Sequence, residues 1–277
     1  LKGIPFFDAE HQEGVWAKPS FLPKEKASKG ILFLDEINTA PPAVQASAYQ
    51  LILDRRVGEY ALPEGWSIVA AGNRENDRGV VYKMPAPLAN RFVHFEMEVN
   101  FDDWKAWAYQ AGVEASVIAY LAYDKSMLFT FDPQTNEKSF ATPRSWEYVD
   151  NIVKSGIGNN LILDSISGAV GREAAVGYLS FKKVMQDLPD LSSILDGSLT
   201  ATEEEDHKVL MALSIGLVNA LRENESEEAI SNALAFSMNL PGEFAVMLVK
   251  DMQFNGLDVE GSDAWSDWVS KFAYLLA

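Results

Sequence analysis

The pattern of apolar and polar residues changes character about a third of the way along this 277-residue chain. Before about residue 100 the apolar runs are short and bounded by turn residues, and beyond it they recur at helical spacing. The clearest run is Ile31-Leu32-Phe33-Leu34, four large apolar residues without alternation, which predicts a strand buried on both faces as in a parallel sheet. Asp35-Glu36-Ile37-Asn38 follows it directly. Pro41 and Pro42 suit the first turn of a helix, and Val44, Ala48, Leu51 and Ile52 share one face of that helix to about Asp54. Ser67 to Gly72 predicts a second short apolar strand, ending on Asn73-Arg74-Glu75. Residues 1–30 read as loops with a β-hairpin around Val15 to Phe21. From Phe92 to Val99 the chain alternates: Val93, Phe95, Met97 and Val99 oppose His94, Glu96 and Glu98. That spacing predicts a strand with one wet face, on which His94 is an exposed residue.

The remainder reads as helices. Trp104, Trp107, Ala108 and Ala111 form a stripe closed by Gly112. Thr142 caps a helix that begins at Pro143 and buries Trp146, Val149 and Val153. From residue 160 onward the pattern is helical almost throughout. Thr202-Glu203-Glu204-Glu205 reads as a capping box for a helix carrying Leu210, Leu213, Leu217 and Leu221, so the acid run 203–206 is accounted for by the helix dipole. The expectation is an α/β chain of three parts: a sheet-bearing part over 1–100, a helical part over 101–185 and a helical extension over 186–277.

Composition narrows the chemistry. The chain has no cysteine, which excludes disulfides, thiolate catalysis and cysteine-based zinc sites. Its three histidines, His11, His94 and His207, are far apart, which argues against a histidine metal site or triad. A net charge of −17 argues against attraction to nucleic acid or to an anionic membrane. Lys24, Lys26 and Lys29 read as a solvated loop, with a small basic contact surface as the alternative. No stretch reaches the roughly 20 apolar residues that span a bilayer, so no membrane role is expected and the location expected is cytoplasmic.

Ligands of open α/β sheets bind at the C-terminal ends of the strands, where Asp35 and Glu36 fall. One acid there can hold Mg²⁺ through water, and the second can orient or deprotonate an attacking water. The same pattern on its own also fits a strand that simply exits into solvated acids. Asn73, at the tip of the second strand, is placed to orient a water, although asparagine is equally at home in a turn. Arg91 precedes the alternating stretch, and Arg144 lies in the first turn of the helix at 143, exposed enough to reach a ligand.

Taken in order, ILFLDEIN (31–38) with PPAVQ (41–45), AAGNRE (70–75), PLANRF (87–92) and TPRSW (142–146) resemble an AAA+ ATPase of the MoxR-like group. The likeness covers residues 1–155 and is loose beyond. It implies a partial P-loop-type parallel sheet domain, an α-helical lid and a helical C-terminal tail. It further implies ATP and Mg²⁺ as ligands, with Asp35 as the Walker B acid holding the metal and Glu36 polarising the hydrolytic water. Asn73 matches sensor 1, Arg91 the arginine finger that reaches a neighbouring subunit's nucleotide, and Arg144 sensor 2. A homo-oligomeric ring, hexameric in such ATPases, and a partner with a von Willebrand factor A domain are implied as well.

One departure is plain. No G-x-x-x-x-G-K-[ST] loop occurs, and only 34 residues precede Asp35. Because the chain starts at Leu1 rather than Met, inside a stretch (LKGIP, 1–5) similar to the family, the expectation is a longer natural chain with that loop upstream. The alternatives are a nucleotide-incompetent scaffold or interaction module and, opposed by the acidity, a DNA-translocating ring.

Overall fold

The structure is a computed structural model that describes residues 4–17, 19–74, 82–135 and 137–275. It is an α/β chain that separates into two compact units, residues 1–97 and 98–277. In the first unit, β1 (Ile4–Asp8) and β2 (Glu13–Ala17) form an antiparallel hairpin, displaced toward the N-terminus from the one expected around Val15 to Phe21. The shift follows the turn: the Asp8 carboxylate accepts from the Glu10 and His11 N–H groups and bonds the His11 ring, closing the chain there.

β3 (Gly30–Leu34) and β6 (Trp66–Ala70) pair in parallel, Leu32 opposite Ile68 and Phe33 opposite Val69. Between them come α1 (Pro42–Asp54) and a small antiparallel hairpin, β4 (Arg56–Val57) with β5 (Tyr60–Ala61). α1 starts where Pro42 sacrifices no hydrogen bond, and buried Gln45 donates from Nε2 to the Ala40 carbonyl at 2.9 Å. It stops at Arg55, which turns left-handed at φ 55° and sends its guanidinium to the Pro63 and Trp66 carbonyls. The core of this unit is small: Leu22, Leu32, Leu51, Val57, Tyr60 and Leu62. Of the helix face expected, Ala48 and Leu51 are buried, whereas Val44 points outward and Gln45 points in.

Two expectations for this unit need correction. The strand 31–34 is not buried on both faces: Leu32 faces the core, but Ile31 is 64% and Phe33 56% exposed, with Val69 beside them. Period-2 geometry puts alternate residues on opposite faces, and the core of this unit lines only the face that carries Leu32 and Ile68. The stretch 92–99 is not a strand either, because no described segment pairs with it. Val93, Phe95 and Met97 are 81–90% exposed, and His94 is exposed as expected, with Nε2 2.8 Å from the Ala89 carbonyl. Before it lies the short α2 (Ala86–Ala89).

The second unit is helical: α3 (Phe101–Ala111), α4 (Ala115–Tyr123), α5 (Pro143–Lys154), α6 (Asn159–Val170), α7 (Arg172–Gln186), α8 (Leu191–Leu195), α9 (His207–Glu223), α10 (Glu227–Ser237), α11 (Gly242–Phe254) and α12 (Trp265–Phe272). One apolar core runs through it from Phe101 to Phe272, with Trp146, Trp268, Tyr109 and Tyr178 fully enclosed. Caps are local and readable. Asn100 accepts from the Asp102 and Asp103 N–H groups, Gly112 ends α3 at φ 68°, and Thr142 forms a capping box with Ser145. The expected box at 202–205 is absent: α9 begins at His207 with Asp206 as its cap, accepting from the Lys208 N–H at 2.8 Å. Glu204 instead accepts from the Glu205 and Asp206 N–H groups in a stretch without regular structure. Among the described residues no helix is long and apolar enough to cross a membrane.

Candidate functional site

The parallel ladder runs one rung past β3 and β6. The Ala71 N–H donates to the Leu34 carbonyl at 3.0 Å, and the Ile37 N–H donates to the Ala71 carbonyl at 2.9 Å. The chain after β3 therefore stays beside the chain after β6, which carries Asp35 and Glu36 alongside Asn73. This juxtaposition lies at the C-terminal ends of the two strands, the end at which such sheets bind ligands.

Asp35 and Glu36 are exposed. Asp35 Oδ1 accepts from the Glu36 N–H at 2.9 Å. Glu36 sits at φ 50°, a left-handed conformation that residues other than glycine adopt at some cost. Thr39 holds it there: its hydroxyl donates to the Glu36 carbonyl at 2.8 Å and lies 3.4 Å from Glu36 Oε2. This kink turns the second acid of the pair away from the direction it would have taken in a continued strand.

Asn73 has an exposed side chain and a tightly held backbone. Asn38, 8% exposed, donates from Nδ2 to the Asn73 carbonyl at 2.7 Å and accepts from the Asn73 N–H on Oδ1 at 3.0 Å. Arg91 is exposed, in the turn that closes α2, and its N–H donates to the Leu88 carbonyl. Arg144 belongs to the helical unit, exposed in the first turn of α5. Of the expected set, then, Asp35, Glu36 and Asn73 share one end of the sheet. Glu75, at the end of the second motif, lies outside the described residues.

No local sequence pattern assigns Asn38 or Thr39 a role. Their importance is a matter of long-range or side-chain geometry: Asn38 contacts a residue 35 positions away, which no local period encodes. The signal available was a polar residue ending an apolar strand-and-turn run, which must find a partner if it is buried.

The donor set fits the metal-and-water side of a Mg–nucleotide site: two exposed carboxylates and an amide beside them. No group of three or more metal-type ligands occurs among the described residues. The phosphate-binding loop has no counterpart in the sequence. Comparison of the chain with protein-family models, with curated proteins and with solved structures finds no match. A family assignment accordingly rests on the residues themselves.

Proposed function

We propose that this chain carries the metal-and-water half of an ATP-hydrolysing site, in a cytoplasmic ring ATPase of the AAA+ MoxR-like kind that remodels partner proteins. The observation that supports it best is the shared position of Asp35, Glu36 and Asn73 at the C-terminal ends of two parallel strands. In this reading Asp35 would hold the magnesium ion by way of water. Glu36 accepts a hydrogen bond from the attacking water and turns its lone pair toward phosphorus, and the Asn73 amide fixes that water from the other side. The magnesium ion, when bound with ATP, neutralises charge on the phosphate oxygens. Arg91 reaches the neighbouring subunit's nucleotide, and Arg144 senses nucleotide state, as the resemblance implies. A von Willebrand factor A domain partner belongs to the same implication.

Glu36→Gln in the natural full-length protein is the test. The amide keeps the size of the side chain but cannot polarise water, so Mg²⁺-dependent turnover should fall at least about a hundredfold while ATP still binds. Retained turnover removes Glu36 from the chemistry. Absence of both binding and turnover in the unaltered protein points instead to a nucleotide-incompetent scaffold, the reading that the missing G-x-x-x-x-G-K-[ST] loop favours.

A further inference from the structure

Among the described residues of the first unit, Asn38 is the buried polar side chain that ties the two strand tips together. Its carboxamide offers the Asn73 peptide a donor and an acceptor at once, at 2.7 and 3.0 Å, as a neighbouring strand would. The backbone ladder ends at Ala71, and the Asn38 side chain supplies the next rung. The Asn38 carbonyl also accepts from the Tyr82 N–H at 2.8 Å, so three segments meet on one residue.

Gly72 makes room for this contact. A Cβ on Gly72 would stand 2.7 Å from Asn38 Oδ1 and 3.0 Å from its Cγ, so the Asn38 carboxamide would have to shift. Gly72 is not among the residues with positive φ, so its backbone does not demand glycine. The approach of the amide does.

Holding both the N–H and the C=O of one residue fixes the direction of its Cα–Cβ bond. The residue held here is Asn73, whose side chain is exposed at the candidate site. Asn38 also follows Glu36 within the same short turn, so one side chain sets the spacing between the acid turn and the amide opposite.

We propose that Asn38 is a positioning residue for hydrolysis: its carboxamide clamps the Asn73 backbone so that the Asn73 amide and the Glu36 carboxylate face the same water, and Gly72 admits the clamp. This rests on the ATPase reading given above. A water misplaced by about 1 Å costs on the order of a hundredfold in rate, so the clamp acts on the chemical step and not on nucleotide capture.

The test compares the natural full-length protein with Asn38→Ala, Asn38→Asp and Leu51→Ala. Steady-state Mg–ATP turnover and amide hydrogen exchange at Asn73 are followed together. Asn38→Ala should lower kcat at least about tenfold with KM for ATP within about twofold, and should speed exchange at Asn73 about tenfold or more. Asn38→Asp keeps the acceptor for the Asn73 N–H, so it should retain exchange protection better than Asn38→Ala. It places a carboxylate against the Asn73 carbonyl, so it should not restore full turnover.

Leu51→Ala loosens the same unit without touching the clamp. If it lowers kcat as far as Asn38→Ala at equal folded fraction, Asn38 is merely structural and the proposal falls. Unchanged exchange at Asn73 in Asn38→Ala overturns the clamp while leaving the ATPase reading intact. An unaltered protein without turnover overturns the ATPase reading and the catalytic role together, and faster Asn73 exchange in Asn38→Ala then identifies the clamp as a structural one.

Discussion

Lys105→Met should destabilise the helical unit by an amount that depends on pH. Lys105 Nζ lies 2.6 Å from Asp251 Oδ1, joining α3 to α11, and the Tyr109 hydroxyl donates to Oδ2 at 3.1 Å. The two charged side chains are 15% and 7% exposed, so the carboxylate has little access to water once its cation is gone. Removing one member of a buried pair costs about 3–5 kcal/mol. The partial exposure of Lys105 and the surviving Tyr109 hydrogen bond place this case near the lower end, about 3 kcal/mol. For a unit of this size that is about 6–12 °C in Tm.

The sign with pH follows from the carboxyl. Burial raises the Asp251 pKa above its ordinary value, Lys105 and Tyr109 pull it back, and Asp102 pushes the same way as burial. A raised folded pKa means that the neutral acid is the form the fold prefers. Its contribution to stability is present below the unfolded value and lost as pH rises through the folded one. Without Lys105 the upward push is stronger, so the gap between variant and parent should be small near pH 4 and full at pH 7. Urea unfolding at several pH values, followed by tryptophan fluorescence, measures it. Lys105→Met/Asp251→Asn should recover most of the loss, because the asparagine carbonyl still accepts from Tyr109. A gap that is the same at pH 4 and pH 7, or a double variant no better than the single, refutes the account.

Two more outcomes can be checked on the first unit. Leu51 is fully buried in a core of only a few side chains, so Leu51→Ala should cost about 2–5 kcal/mol and open that unit to proteolysis before the helical one. Glu36→Gly should relieve the left-handed strain at φ 50° while keeping the Thr39 bond to the backbone carbonyl. The expected result is a gain of up to about 1 kcal/mol in stability, read by thermal unfolding, alongside loss of ATP turnover.

Features with a local cause were legible in the sequence. The Thr142 cap, the Gly112 stop, the prolines opening α1 and the strands at 30–34 and 66–70 each follow from residues within a turn of one another. The acid pair and Asn73 fall at the C-terminal ends of the two parallel strands, a position their places directly after the apolar runs implied. What failed depended on partners. The alternation at 92–99 describes a ribbon ready to pair, and no described segment pairs with it. Four apolar residues in a row at 31–34 imply cover on both faces, yet the core lines one of them. Asn38 was invisible because its role lies in a contact across two strand tips.

The uncovered side of the first unit also governs how the protein behaves in the tube. Val93, Phe95 and Met97 lie on backbone that no described segment pairs with, and Ile31 and Phe33 stand open on a sheet of two strands. Such surfaces template further strand pairing between molecules, and only Glu96 and Glu98 interrupt the stretch with charge. This makes 92–99 the segment through which concentrated samples should coagulate, and lysine placed at Phe95 the first change for keeping them clear.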